Sequence, residues 1–272
     1  MPGLNGTNEM KLQYGTAQNL NSRVALHKLF STNKLGWGNW VFQNYRLKPN
    51  QSILELGCGN AGMWKDNMEK IPRGTRLVLS DLSSGMLDAA KAATISLDFV
   101  EYKVIDAQEI PFDDNTFDIV IANHMLYHVP DIEMALSEIK RILRHDGSFH
   151  ATTIGKDNFR EIVDILHGFD ERIDFAQNSI TTAFGLETGG EKLYKFFDSV
   201  KIARYEDSLH ITQAQPLIGY VLSLQGIGNV NDIISGENIA RFTQYINEIF
   251  ARNPYIDVVK DAGIFMAAKP KK

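Results

Sequence analysis

Residues 53–64 read ILELGCGNAGMW, a short apolar run that closes in Glu-Leu-Gly-Cys-Gly. Gly57, Gly59 and Gly62 satisfy the G-x-G-x-x-G spacing, in which glycines let the backbone turn sharply out of a strand and approach a ligand where a helix begins. Two kinds of adenosine-bearing ligand suit such a turn. A dinucleotide rests its pyrophosphate on the helix N-terminus. The alternative has no phosphate and ends in a cationic amino acid. Glu55, two residues before the first glycine, bears on the choice, because a carboxylate there repels a pyrophosphate and helps hold an ammonium, directly or through water.

Outward from this stretch, short apolar runs alternate with helical segments. Strands are expected at 52–56, 76–80, 99–105, 117–122 and 148–153. Helices are expected at 61–69, 83–97 and 131–143, the last opened by Asp131 as N-cap and closed by Gly147. That rhythm predicts an α/β fold, a doubly wound and mostly parallel sheet with helices on both faces. Upstream, residues 21–30 place Val24, Leu26, Leu29 and Phe30 at helical spacing, and 36–45 form a second short helix bearing Trp37 and Trp40. Beyond Ile154 the rhythm changes: helices at 157–167, 213–224 and 237–250, a glycine-rich break at 185–190, and strands at 200–205 and 263–268. The organisation predicted is one domain over 1–272. It has cap helices in 1–50, a cofactor-binding core in 51–155, and lid or acceptor-binding insertions in 156–196 and 213–252.

With 272 residues, 44% of them hydrophobic and 22% charged, the chain can bury a sizeable core. A net charge of −5 leaves no basic footprint for nucleic acid. The single cysteine, Cys58, excludes an intramolecular disulfide and a cysteine-rich zinc site, as in a reducing, cytoplasmic compartment. The first residues lack the basic-then-apolar pattern of a secretory signal, and no apolar run reaches membrane-spanning length.

In doubly wound sheets ligands bind outside the carboxyl ends of the strands, here Gly57-Cys58-Gly59, Asp81-Leu82-Ser83, Asp106-Ala107-Gln108 and Asn123-His124-Met125. Asp81 is placed to accept hydrogen bonds from two ribose hydroxyls. Asp106 suits the exocyclic amine of adenine, beside an Ala107 small enough to admit the ring. With Glu55 at the turn, the set favours S-adenosylmethionine over a dinucleotide. Met86, on the helix after Asp81, and Arg23, on the N-terminal helix and able to reach a carboxylate, complete the cofactor-side candidates, with Tyr14 near Arg23 as a lid residue.

Glu55-Leu-Gly-Cys-Gly, Asp81, the run from Asp106 through Ile110-Pro-Phe to Asp118, and Leu126-Tyr-His-Val-Pro-Asp131 closely resemble the class I S-adenosylmethionine-dependent methyltransferases. Among these the chain looks most like the small-molecule group that includes the quinone methyltransferases. The resemblance is strong over 52–153 and weak elsewhere. It implies a Rossmann-like, seven-stranded sheet whose last strand, here 263–268, runs antiparallel. It also implies that Glu55, Gly57 and Gly59 surround the methionine end of the cofactor, Asp81 the ribose, and Asp106 with Ala107 the adenine. Asn60-Ala61 departs from the family, which often carries another glycine or proline there.

Past the fourth strand, His124, Tyr127 and His128 are the candidate catalytic residues, any of which can take a proton from a hydroxyl or amine acceptor. A metal site built on His124 and His128 lacks a third ligand nearby in sequence. The acceptor expected is a small molecule, methylated on oxygen, nitrogen or carbon, and the aromatic residues Phe159, Phe175, Phe184, Tyr194, Phe196 and Tyr220 are enough to cover a flat or apolar one. Three alternatives stand beside this reading. A nicotinamide-dependent oxidoreductase is disfavoured by Glu55, and a base-modifying methyltransferase by Asn123-His-Met-Leu, which lacks the Asn-or-Asp-Pro-Pro-aromatic run. The third is a module that binds S-adenosylmethionine without transferring methyl.

Overall fold

A computed structural model describes residues 17–224 and 228–271. The chain divides into two compact units. The first to be described takes Trp37–Gly155, Thr181–Tyr205 and Ala262–Lys272, and is built on a seven-stranded sheet. Its strands are β1 (Ser52–Leu56), β2 (Arg76–Asp81), β3 (Val100–Val104), β4 (Phe117–Asn123), β5 (Leu143–Ile154), β6 (Phe197–Arg204) and β9 (Ala262–Pro270), in the order β3-β2-β1-β4-β5-β9-β6. Neighbours from β3 to β5 pair in parallel, whereas β9 runs antiparallel to both β5 and β6. This is the Rossmann-like arrangement that the family resemblance implies, including its antiparallel last strand. The central strands are near-continuous apolar runs because both faces are covered: Ile53, Leu54, Leu77, Val78, Leu79, Val120 and Ile121 are fully buried.

Strand order puts the carboxyl ends of β1 and β4 side by side, with Leu56 opposite Ala122, so the glycine turn after β1 and the segment after Asn123 share one edge of the sheet. The connecting helices follow their caps. Ser83 caps α4 (Ser84–Ala93), and Asp131 caps α5 (Ile132–Ile142) by accepting from the Met134 N–H at 2.9 Å. The expected close of α5 at Gly147 is corrected. The helix stops at Ile142 and the chain runs straight into β5, where a side chain at Gly147 would meet the Arg144 carbonyl at 2.9 Å and the Asp118 carbonyl at 3.1 Å. Gly147 therefore permits a close backbone approach inside a strand whose pairing register shifts nearby.

The second unit takes Met1–Gly36, Lys156–Ile180 and Glu206–Asp261. Its helices include α1 (Ala17–Phe30), α6 (Arg160–Phe169), α9 (Ala214–Leu222), α10 (Val230–Ile233) and α11 (Asn238–Arg252), which share a hydrophobic core. Among the described side chains of α1, Leu26 and Phe30, four residues apart, are buried in it, whereas Val24 and Leu29 of the expected apolar face are exposed. A two-stranded antiparallel sheet that the sequence reading missed joins β7 (Asp207–Ile211) to β8 (Ile256–Lys260). The boundary between units falls inside α7 (Gln177–Phe184), so residues 156–196 are not one insertion. The aromatic residues considered as a cover are dispersed accordingly. Phe159, Phe175 and Tyr220 pack in the core of this unit, Phe184 packs on Phe265 in the sheet unit, and Tyr194 is exposed. Among the described residues no helix is long and apolar enough to cross a membrane.

Candidate functional site

At the end of β1 the chain reverses through Gly57 (φ 67°) and Gly59 (φ 56°) into α3 (Gly62–Asp66). A Cβ at Gly57 would fall 2.9 Å from the Met125 Cβ, so the glycine lets the segment after β4 lie against the turn. A Cβ at Gly59 would meet nothing within 4 Å. The backbone there borders open space, as a cradle for a ligand requires. Ala61, where the sequence departs from the pattern of the family it resembles, adopts the left-handed conformation (φ 54°) that glycine takes without strain.

Glu55 is 3% exposed and its two oxygens are both engaged. Oε2 accepts from the Trp64 indole N–H at 2.5 Å, and Oε1 accepts from the Asn123 amide at 2.6 Å. These donors are neutral, and among the described residues no cation pairs with Glu55. Burial pushes its carboxyl up to about 7 despite both bonds, with Asp81 adding to the rise. Asn123 spends its amide wholly on the protein: its NH₂ also donates to the Tyr45 hydroxyl at 2.7 Å, and its oxygen accepts from the Thr152 hydroxyl at 3.2 Å. The Tyr45 phenol is pushed up by burial and by Glu55.

Asp81, at the end of β2, accepts from the Gly59 N–H at 3.0 Å and the Ser83 N–H at 2.9 Å, which ties β2 to the glycine turn. Burial raises its carboxyl, and these backbone bonds oppose the rise. The Leu82 N–H is a third backbone donor to it, and the remaining acceptor capacity of the carboxylate suits a ribose hydroxyl. Leu82 is exposed beside it, Met86 is buried one helical turn on, and the Cys58 thiol is pushed far up by burial, then by Glu55 and Asp81. Asp106 lies exposed past β3, next to the buried Ala107. Gln108 binds it from backbone and side chain and reaches the Asp131 N–H through its own amide oxygen at 3.1 Å.

Past β4, His124 is half-buried in the left-handed region (φ 49°), with its N–H bonded to the Thr152 carbonyl and hydroxyl, each at 3.1 Å. Its ring lies 5.2 Å from Trp37, which stacks on Trp40 at 5.5 Å and meets Tyr205 edge-on at 5.4 Å. Tyr127 lies 6.4 Å from His124 and 4.6 Å from His128, and both Tyr127 and His128 are buried. The structure thus brings together Glu55, Gly57, Gly59, Asp81 and Asn123 at one end of the sheet, with His124 following Asn123. Tyr14, like the side chain of Arg23, lies outside the described residues. The sequence reading assigned no site role to Tyr45, Thr152 or Trp64. The signal was available, since a buried indole N–H and a buried carboxylate each require a partner, and both lie within the stretch 53–64.

The glycine turn, the open backbone at Gly59, the buried acid without a cation and the Asp81 carboxylate at the end of β2 fit an adenosine ligand with a cationic end. The fold is that of the Rossmann-like α/β class. Residues 54–151 match the family model described as a methyltransferase domain. Over that stretch the chain is similar to the methyltransferase domains of the class I kind. A demethylmenaquinone methyltransferase of Staphylococcus aureus is 34% identical over 112 residues, covering 41% of this chain and 46% of its own. The chain thus spans about half the length of the curated relatives it matches. Two solved structures share the fold. A putative methyltransferase from Bacillus halodurans has a TM-score of 0.56 and 16% identity, over 86% of this chain and 99% of that one. The Haemonchus contortus phosphoethanolamine N-methyltransferase 2, in complex with S-adenosyl-L-methionine, has a TM-score of 0.58 and 17% identity, over 100% of this chain and 61% of that one.

Proposed function

We propose that the whole chain is an enzyme that moves the methyl group of S-adenosylmethionine to a small-molecule acceptor. The observation that carries this is Glu55, a buried carboxylate at a glycine turn whose partners inside the protein are neutral. A pyrophosphate would be repelled there, whereas an ammonium supplies the missing counter-charge. When bound, the cofactor supplies an activated methyl on a sulfonium. The remaining work falls to the protein. Glu55 with the Gly57–Gly59 backbone holds the amino-acid end, Asp81 holds the ribose hydroxyls, and Asp106 with Ala107 and Gln108 borders the adenine. Ser83 and Met86 shape the helix beside the ribose.

His124 is the residue for the acceptor side, because its left-handed backbone and two bonds to Thr152 fix it just past β4. It serves as proton acceptor for a hydroxyl or amine, with Tyr127 and His128 packed in series behind it. Holding two reactants in line raises rate by effective molarities of roughly 10⁵–10⁸ M, so the base is an aid rather than a requirement. The aromatic group of Trp37, Trp40, His124 and Tyr205 favours a flat acceptor, and demethylmenaquinone, the compound in the relative's name, is one instance. The test is a screen of flat hydroxylated and amino acceptors, demethylmenaquinone included, scored by release of S-adenosylhomocysteine. Tight binding of S-adenosylmethionine with no release on any acceptor class would favour a non-catalytic binding module.

A further inference from the structure

The bonds around Glu55 assign work to two residues that the cofactor chemistry does not itself require. Trp64 is fully buried, edge-on to Phe42 at 5.7 Å and stacked on Tyr45 at 6.4 Å, so its indole N–H is fixed before any ligand arrives. Asn123 is fixed as firmly, because Tyr45 and Thr152 use the rest of its amide. We propose that Trp64 and Asn123 are positioning residues for the cofactor's amino end, gripping Glu55 by its two oxygens so that a deeply buried acid is kept in the ionised form that accepts a cation. The proposal rests on the reading that the ammonium of S-adenosylmethionine is met at Glu55.

The opposing forces are visible at the site. Burial drives Glu55 towards its neutral form, to about 7, and the bonds from Trp64 and Asn123 work against that drive. The other titratable groups around it do not help. Asp81 on β2 raises it further, the Cys58 thiol in the turn and the Tyr45 phenol are both held neutral, and His150 on β5, edge-on to Tyr45 at 5.4 Å, is pushed down to about 4 by burial and by Arg46 and is neutral too. Among the described residues no cation pairs with Glu55 in place of the two neutral donors. Losing one charge-assisted bond should raise the Glu55 midpoint by about one to two pH units.

The test is the affinity for S-adenosylhomocysteine, measured by calorimetry from pH 6 to 9, in wild type, Trp64→Phe, Asn123→Ala and Glu55→Gln. The ligand's own amino group titrates alike in all four, so ratios to wild type report the protein. Trp64→Phe keeps the ring packing and removes the N–H. Its affinity should be about five- to fiftyfold below wild type at pH 7 and should return to within about threefold at pH 9. Asn123→Ala should show the same pattern, and Glu55→Gln should be weak at every pH. A Trp64→Phe profile that superimposes on wild type, or lies below it by a constant factor, overturns the positioning role. If neither Trp64→Phe nor Asn123→Ala folds, as judged by a cooperative melt, the network is structural and the role is overturned as well. Wild-type affinity in Glu55→Gln is a distinguishable failure, since it removes the ammonium from Glu55 and the proposal with it.

Discussion

Two buried acids in this chain meet opposite fates. Asp207, in the second unit, has a fully buried side chain and is paired with the buried ammonium of Lys260, while Ser31 and the Asn33 N–H add bonds at 2.5 Å and 2.9 Å. Burial alone would raise its carboxyl, yet these partners hold it below the ordinary value. Glu55, in the sheet unit, is more deeply placed and is met by an indole and an amide, and its carboxyl rises. The first acid is satisfied by its own fold and pins the end of α1 to β7 and β8. The second is left short of a cation, which is the signature of a group reserved for a ligand.

The largest expected effect breaks the satisfied acid. Lys260→Met leaves Asp207 buried and unpaired and should lower unfolding stability by about 3–5 kcal/mol in chemical denaturation, with Asp207→Leu in the same chain regaining most of the loss. A cost below about 1 kcal/mol would place the pair among screened surface pairs and erase the contrast.

The unsatisfied acid has a pH signature. Glu55 moves from an ordinary 4.5 to about 7, so between those values the folded chain keeps a proton that the unfolded chain has released, and its contribution to stability is lost as pH rises. His150 moves from 6.5 to about 4, so over that range the unfolded chain carries the extra proton and its contribution grows with pH. The two slopes oppose each other between pH 4.5 and 6.5. His150→Gln should unmask the Glu55 slope, a fall in unfolding stability of about 3 kcal/mol from pH 4.5 to 7 relative to wild type. Parallel pH profiles for the two proteins would show that His150 is better solvated than its burial implies.

Asp81→Ala removes charge-assisted bonds worth about 1.5–3 kcal/mol and should weaken S-adenosylmethionine binding by roughly ten- to a hundredfold. Unchanged calorimetric affinity in a folded variant would move the ribose elsewhere. The smallest effect sharpens the turn itself. Ala61→Gly relieves a left-handed alanine but loosens the unfolded chain, so thermal stability should change by no more than about 1 kcal/mol. A larger loss would mean that the methyl group of this buried alanine is packed more tightly than its backbone is strained.

The same contrast explains what the sequence disclosed. β1, β2 and β4 were legible because parallel strands buried on both faces are near-continuous apolar runs, whereas the largely exposed β3 and the antiparallel β9 were read from the strand–helix rhythm and the family resemblance. β7 and β8 were not legible. Asp207–Ile211 and Ile256–Lys260 are short, mixed in polarity, and find each other only across the intervening helices. Within the candidate site, Glu55, Asp81 and the glycines announce themselves by spacing. Tyr45 and Thr152 join through β-sheet neighbours and a helix end that no local pattern links to Glu55. Asn123 was placed correctly at a strand end, but the direction of its amide is decided by three partners from three separate segments.

The central claim is that the acid left short of a cation receives one from S-adenosylmethionine. Thermal unfolding of the wild-type chain at pH 8, with S-adenosylmethionine, S-adenosylhomocysteine or NAD each in excess, tests it most directly. Stabilisation by the first two is expected, about 2.7 kcal/mol at a hundredfold excess over the dissociation constant, with no shift from NAD. A shift with NAD and none with either sulfur ligand would contradict the account.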